Sequence, residues 1–377
     1  MSNLRLPHEL IDIIIDHLHH DRIALAACCL VSKAWLVSSR YHLLTDVLLG
    51  HKHSDDVLAL PPPSIFAVAA RRLMLSDKTC LPPGIEHFSS VTSFYLRVST
   101  PNEDMLTRLP VLFSRLTLLE LNQVVFDSFA DMVQLVCSFP NLETLTHFMC
   151  PWIQEVDQPS ADLCLPPRLH TLNILSLRLH VFFDWFNASK VLPPLSTVRL
   201  YGVAEPHMTS VGTAIENLGD GLENLTLDLW DHEHGDLLAE SIDLSHSPNL
   251  RSLTLVNGWP KLLYRILLTH ARHSHHLQHL TLTIYEGKGN IPNLELLDWR
   301  ELDHFVASSR LVDLTVRVYA HNLVSKVDKA IVETRFMPTA ARKGKVRFVQ
   351  EKERFADMRA GLRGPIAVRS WGEEVSR

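Results

Sequence analysis

Apolar residues recur along this chain in the unit L-x-x-L-x-L. It reads Leu116-Leu119-Leu121, Leu169-Leu172-Ile174, Leu195-Val198-Leu200, Leu222-Leu225-Leu227, Leu250-Leu253-Leu255, Leu277-Leu280-Leu282 and Leu311-Leu314-Val316. A weaker copy carries Leu142 and Leu145, and fainter ones are Val91-Phe94-Leu96 and Ala70-Leu73-Leu75. The middle apolar residue falls at 73, 94, 119, 145, 172, 198, 225, 253, 280 and 314, in steps of 21, 25, 26, 27, 26, 27, 28, 27 and 34. The alternation within L-x-L predicts a strand with one buried face. Between strands the apolar spacing turns helical, as in Phe129, Met132, Val133 and Val136, or Leu263, Ile266 and Leu267. Proline then stops the helix before the next strand, in Phe139-Pro-Asn-Leu142, Leu165-Pro-Pro-Arg-Leu169, Leu192-Pro-Pro-Leu195 and Ser247-Pro-Asn-Leu250. It lacks the N–H a helix needs and disfavours helix in the residue before it. One strand and one short helix cannot bury their faces alone, whereas stacked copies share one core.

Over residues 66–350 this pattern resembles the leucine-rich repeat family, whose period is 20–29 residues. The resemblance implies an α/β solenoid, a horseshoe of parallel strands. The family places Asn or Cys three positions after the last leucine of the motif, where its side chain bonds the backbone of the turn. Those positions here hold Val124, Leu177, Val203, Trp230, Gly258, Tyr285 and Tyr319, and only Cys150 conforms. Irregular turns are therefore expected.

The first 45 residues have another rhythm. Leu10, Ile13, Ile14 and Leu18 fall at i, i+3, i+4 and i+8, one face of a helix. Asp21 is placed to cap a second helix with Leu25, Leu30 and Val31, and Ser32 a third with Trp35, Leu36, Leu43 and Leu44. Three short helices bury too little surface to be comfortable alone. The order L-P-x-E-L-x-x-x-I-x-x-x-L, then L-V-S-K-x-W-x-x-x-x-R ending at Arg40, resembles an F-box over residues 4–48. That resemblance implies a small all-α docking segment for the Skp adaptor of a cullin–RING ubiquitin ligase. It maps Leu6, Pro7, Leu10, Ile14, Leu18 and Trp35 onto apolar positions that face the adaptor or support the facing helices. The other reading is that these helices only cap the repeats. Residues 49–65, with Pro61-Pro62-Pro63, read as a semi-rigid linker.

In a repeat strand the residues between the leucines point to the concave face: Tyr95, Glu120, Thr146, Asn173, Arg199, Thr226, Thr254, Thr281 and Thr315. The threonines suit adjacent strands and read as structural. Should the alternation continue, Trp230, Tyr285 and Tyr319 share a column, with Asp228 and Arg317 one step before it. Aromatic residues and arginine dominate binding hot spots, so these five are the substrate-contact candidates. Should the strands end earlier, the rings pack under the loops instead.

Composition narrows the rest. Hydrophobic residues make up 46% and charged residues 21% of 377, a folded composition. The net charge of −6 predicts neither a nucleic-acid nor a membrane partner. Arg342 to Arg377 holds ten Lys/Arg and five Asp/Glu, a basic end read as solvated, with residues 351–377 as its tail. The six cysteines, without a C-x-x-C pair, suit a reducing compartment. No basic start followed by an apolar stretch marks a signal peptide, and no apolar run has the ~18 residues of a membrane span. The histidines at 232, 234, 270, 273, 275, 276 and 279 lack metal-ligand spacing, and no nucleophile elbow, P-loop or dinucleotide fingerprint is present. The expectation is a non-enzymatic receptor without metal or cofactor, cytoplasmic or nuclear. It would tether a protein substrate to an SCF-type ligase, the alternative being a repeat scaffold or inhibitor outside the ubiquitin system.

Overall fold

The computed structural model describes residues 6–19, 21–49, 69–154, 159, 163–229, 241–256, 276–286, 298–309, 311–320, 332 and 336–352. The protein is α/β, with parallel strands recurring along the chain and helices or turns between them. It divides into two units, Met1–Leu169 and His170–Arg377.

The first unit opens with α1 (His8–His17), α2 (Arg22–Cys28) and α3 (Lys33–Leu44). The predicted caps form: Asp21 accepts the Ala24 N–H at 2.9 Å and Ser32 the Trp35 N–H at 3.5 Å. Leu30 and Val31 lie past the end of α2 instead of on it. The strands β1 (Asp46–Leu49), β2 (Arg72–Ser76), β3 (Ser93–Arg97), β4 (Leu118–Asn122) and β6 (Thr144–Phe148) pair in parallel in that order. A short ribbon of β5 (Phe126–Ser128) and β7 (Trp152–Gln154) lies apart from them. Among the described residues two further helices follow in this unit, α4 (Glu103–Leu112), capped by Asn102, and α5 (Phe129–Cys137), with a Ser128–Asp131 capping box.

The register reproduces the leucine count. Leu73 pairs Phe94, Phe94 pairs Leu119, and Leu119 pairs Leu145. Behind them run Leu75, Leu96 and Leu121, all fully buried, each adding ~1.5–3 kcal/mol of burial free energy. Val47 pairs Leu73, so the column begins one strand earlier than the leucine count suggested. The parallel pairing thus starts at Asp46, within the span read as docking segment, and not at residue 66. The triplet is there too, as Leu44-Val47-Leu49, but its first leucine is the last residue of α3.

The turns after four strands of the first unit share one conformation, while in the second unit the pairing of Thr197–Val203 with Asn224–Leu229 shifts register between Leu227 and Leu229. Asp77, Val98, Gln123 and Met149, each two residues past the last inward position of its strand, share a left-handed conformation, φ 45–55°. Three of them extend the ladder: Asp77, Val98 and Gln123 donate their N–H to the carbonyls of Arg97, Asn122 and Phe148. Backbone conformation makes this turn, so no conserved type of side chain is required to bond it. Where a polar side chain follows, it does bond: Ser99 donates to the Arg97 carbonyl at 3.0 Å and Cys150 to that of Phe148 at 3.4 Å.

The second unit repeats the plan: β8 (Thr171–Leu175), α6 (Leu179–Ala188), β9 (Thr197–Val203), α7 (Met208–Leu218), β10 (Asn224–Leu229), β11 (Ser252–Val256), β12 (His279–Glu286), α8 (Trp299–Ser308), β13 (Asp313–Ala320), α9 (Pro338–Arg342) and β14 (Val346–Lys352). The seven strands are parallel and paired in chain order. Leu172, Val198, Leu225, Leu253, Leu280 and Leu314 form one column and lie at most 1% exposed. Val346 continues it in β14.

Part of the basic end is therefore structural. Lys345 donates its ammonium to the carbonyls of Val306 and Ser309 at 3.2 and 2.7 Å, and Lys343 to Ala307 at 2.9 Å. These are carbonyls at the C-terminal end of α8, where cations are favoured by the helix dipole. Residues 353–377 lie outside the described residues, as do 50–68 and the helix read at Leu263, Ile266 and Leu267.

Candidate interaction surfaces

In the first unit, α1 has two apolar faces. Ile11 and Ile15 turn inward with Leu25 and Cys28, and Leu18, Ala34, Trp35 and Leu43 pack against that cluster. The face that spacing had singled out turns to solvent: Leu10 is 46% exposed, Ile13 53% and Ile14 38%, with Leu6 at 50% just before the helix. Pro7 is exposed as the N-cap. The six residues mapped by the F-box resemblance thus separate into Leu6, Pro7, Leu10 and Ile14 outside and Leu18 and Trp35 inside. Sequence spacing alone underplayed Ile23 and Leu30, which are 82% and 88% exposed.

Polar groups fix α1 against α3. Ser38 bonds Asp12, and His42 meets the Asp16 carboxylate at 2.8 Å. These contacts, with the Ile11 and Ile15 core, hold the helix so that its exposed apolar residues stay aligned. An apolar row held on a rigid helix and left in water is how a helix-in-groove contact is built.

In the second unit, the face opposite the leucine columns is polar. Two bonds run along its first row: Asn224 donates to Thr197 Oγ1 at 3.2 Å, and His279 meets Asp313 at 2.5 Å. The next row runs Asn173, Arg199, Thr226, Thr254, Thr281, Thr315 by register. Asn173 Oδ1 accepts from the Arg199 guanidinium at 3.0 Å. Beyond it lies Tyr201, whose hydroxyl is pushed up to about 12 by burial, against the pull of Arg199, with Asp228 raising it further. Tyr201 has the same offset past the last apolar residue of its motif as Asp228 and Arg317, but the sequence candidates belong to the strands that lead to the Trp230, Tyr285 and Tyr319 column, and β9 is not one of them.

The five sequence candidates are only partly brought together. Asp228 and Arg317 share one register row through Val256 and Thr283. Three strand spacings separate them, about 14 Å. Tyr285 and Tyr319 are register partners in β12 and β13, both of which continue past them. Trp230 lies outside the described residues.

Among the described residues no group of three His, Cys, Asp or Glu is arranged to hold a metal, and all six thiols are free. Of the histidines considered for metal, those at 232, 234, 270, 273 and 275 lie outside the described residues. Cys137 and Cys150 are pushed up to about 12, chiefly by burial, which makes both poor nucleophiles. No described helix is long and apolar enough to cross a membrane. No protein-family model matches the chain, and no curated protein matches it.

Proposed function

We propose that this protein is a substrate receptor of an SCF-type cullin–RING ubiquitin ligase, built as an F-box followed by a leucine-rich repeat solenoid. It performs no chemistry. Its N-terminal helices dock on the Skp adaptor and its repeat strands bind a target protein, so that tethering raises the target's effective concentration near the ubiquitin-transferring enzyme. Such a protein works in the cytoplasm or nucleus.

The observation that carries the reading is the solvent-facing row Leu6, Leu10, Ile13 and Ile14 on a helix that is braced from behind. A mere cap for the repeats would turn its apolar residues inward and leave a polar row outside. The register of the strands, one rung every 25 or so residues, supports the repeat half.

The test is co-purification of the full chain with the Skp adaptor, against a Leu6→Ser, Leu10→Ser, Ile14→Ser variant. These positions are exposed, so the variant keeps the fold. Binding by wild type and its loss in the variant is the expected result. If neither binds while both remain folded, the helices serve as a cap, and a scaffold or inhibitor outside the ubiquitin system takes the place of this reading.

A further inference from the structure

Resting on the target-binding half of that reading, we propose that the row Asn173–Arg199–Thr226–Thr254 in β8–β11 is the part of the sheet that reads the target, and that it takes a carboxylate side chain of an acidic protein segment.

Three observations converge there. Arg199 is a half-buried cation with no carboxylate partner among the described residues, held by the neutral amide of Asn173. An arginine fixed by an amide keeps its charge and most of its five N–H donors for a ligand. The next positions by register, Thr226 and Thr254, put hydroxyls beside it that bond no other described residue. In the first row of the same face the pairs are different in kind: His279 pairs with Asp313, and Asn224 with Thr197. The Arg199 row thus offers an anion a cation that no described carboxylate neutralises, flanked by the Thr226 hydroxyl.

Chemistry fixes the sign of the partner. A planar guanidinium matches the two oxygens of a carboxylate, and charge-assisted hydrogen bonds of this kind are about twice as strong as neutral ones. Asp228 stands two residues further along β10, roughly 6–7 Å away, and repels an anion that drifts from the Arg199 row. That places the acid in register with Thr226 and leaves Tyr201 as a flat contact for whatever flanks it. One arginine suits a carboxylate, whereas a phosphate dianion calls for several.

The experiment selects binders to the full chain from a displayed library of random twelve-residue peptides, in parallel for wild type, Arg199→Met and Asn173→Ala. Wild type is expected to enrich Asp or Glu at one position. The Arg199→Met pool should lack that enrichment, and Asn173→Ala should weaken it. A synthetic peptide from the wild-type pool is then titrated by fluorescence anisotropy, with its acid kept, changed to Gln, or changed to phosphoserine. At least a tenfold loss with Gln, absent in Arg199→Met, is the expected outcome. Equal pools for wild type and Arg199→Met, a basic consensus, or no enrichment at all overturns the proposal. Phosphoserine binding more than tenfold tighter than the acid overturns the carboxylate assignment in favour of a phosphopeptide. Adaptor co-purification is read on the same three proteins and should not change among them. Its failure in all three, beside a successful selection, removes the ligase reading and leaves this one standing.

Discussion

The carboxylate of Asp303, on α8, accepts the backbone N–H of Ala340, on α9, at 2.7 Å. The same carboxylate takes the Thr339 N–H at 3.1 and 3.0 Å through its two oxygens. Asp303 is only 6% exposed, so one buried anion closes the N-terminus of α9. Lys343 and Lys345 close the C-terminus of α8 from the other direction. The two helices therefore satisfy each other's ends.

Replacing Asp303 by Ala should cost about 2–4 kcal/mol, because charge-assisted bonds are lost and two N–H groups are left without an acceptor. Urea unfolding followed by circular dichroism measures the loss. Hydrogen exchange should rise first in residues 336–352. A uniform rise over the whole chain would show that the clasp is not local.

Lys345→Met keeps the apolar stem and removes the ammonium. It should lower stability by about 1–2 kcal/mol, the worth of hydrogen bonds to a charged donor in a half-buried place. Lys345→Arg should recover only part of this, since a fork does not fit two carbonyls set around a point charge. An Arg variant as stable as wild type would contradict that geometry.

Gly212 in α7 lies where an added Cβ would come within 1.9 Å of the Ser241 carbonyl oxygen. The atoms it would meet are backbone, of Ser241 and Ile242, so no flexible side chain can give way. Gly212→Ala should therefore destabilise the fold by ~3 kcal/mol or more, although alanine is the better helix former by ~1 kcal/mol. A thermal melt decides it: a raised Tm would mean the helix can shift away at little cost.

How much of this was legible in the sequence follows from what each feature rests on. The inward columns were readable because burial demands an apolar side chain at a fixed step, and Leu73 to Leu314 display it. Val47 escaped because its triplet, Leu44-Val47-Leu49, opens on the last residue of α3 and reads as the end of that helix. The turns escaped for another reason. At Asp77, Val98, Gln123 and Met149 the shared feature is a backbone angle, which four unrelated side chains adopt. Even Val98, β-branched and so unfavourable there, holds it, since its N–H gains the Asn122 carbonyl. The outer face of α1 shows the limit of spacing most clearly. Leu10, Ile13 and Ile14 and Ile11 and Ile15 lie on one helix, and spacing cannot say which row faces water. Asn173 and Arg199 were visible as residues of one column, but their hydrogen bond depends on the register across 26 residues.

His207 stacks on His180 with ring centroids 5.4 Å apart. Its Nδ1 accepts the Ala204 N–H and its Nε2 donates to the Leu177 carbonyl, each at 3.1 Å, a pattern only the neutral ring can make. Burial lowers its pKa below the ordinary 6.5, the neighbouring His180 lowers it further, and the Leu177 carbonyl opposes both. The unfolded chain then takes up a proton that the folded chain refuses. The contribution to stability is full above about pH 6.5 and is lost as the pH falls below it. Wild type should show a urea midpoint that drops between pH 7.5 and 5.5, and His207→Gln a flatter dependence over that window. An equally steep dependence in the variant would assign the effect to other histidines.

The two faces of α1 should respond in opposite ways to the same kind of change. Ile15 is fully buried against Leu25, and Ile15→Ala should cost about 2–5 kcal/mol through lost burial and the cavity left behind. Ile13, two residues away, is 53% exposed, and Ile13→Ser should change stability by no more than about 0.5 kcal/mol. It should also raise the concentration at which the isolated chain stays in solution, because it breaks an exposed apolar row. Unfolding curves and sedimentation at matched concentration separate the two effects. If Ile13→Ser destabilises as much as Ile15→Ala, the outer row is packed within the chain in solution and is not open to a partner. If it leaves stability alone and improves solubility, the row is free surface, open to a partner.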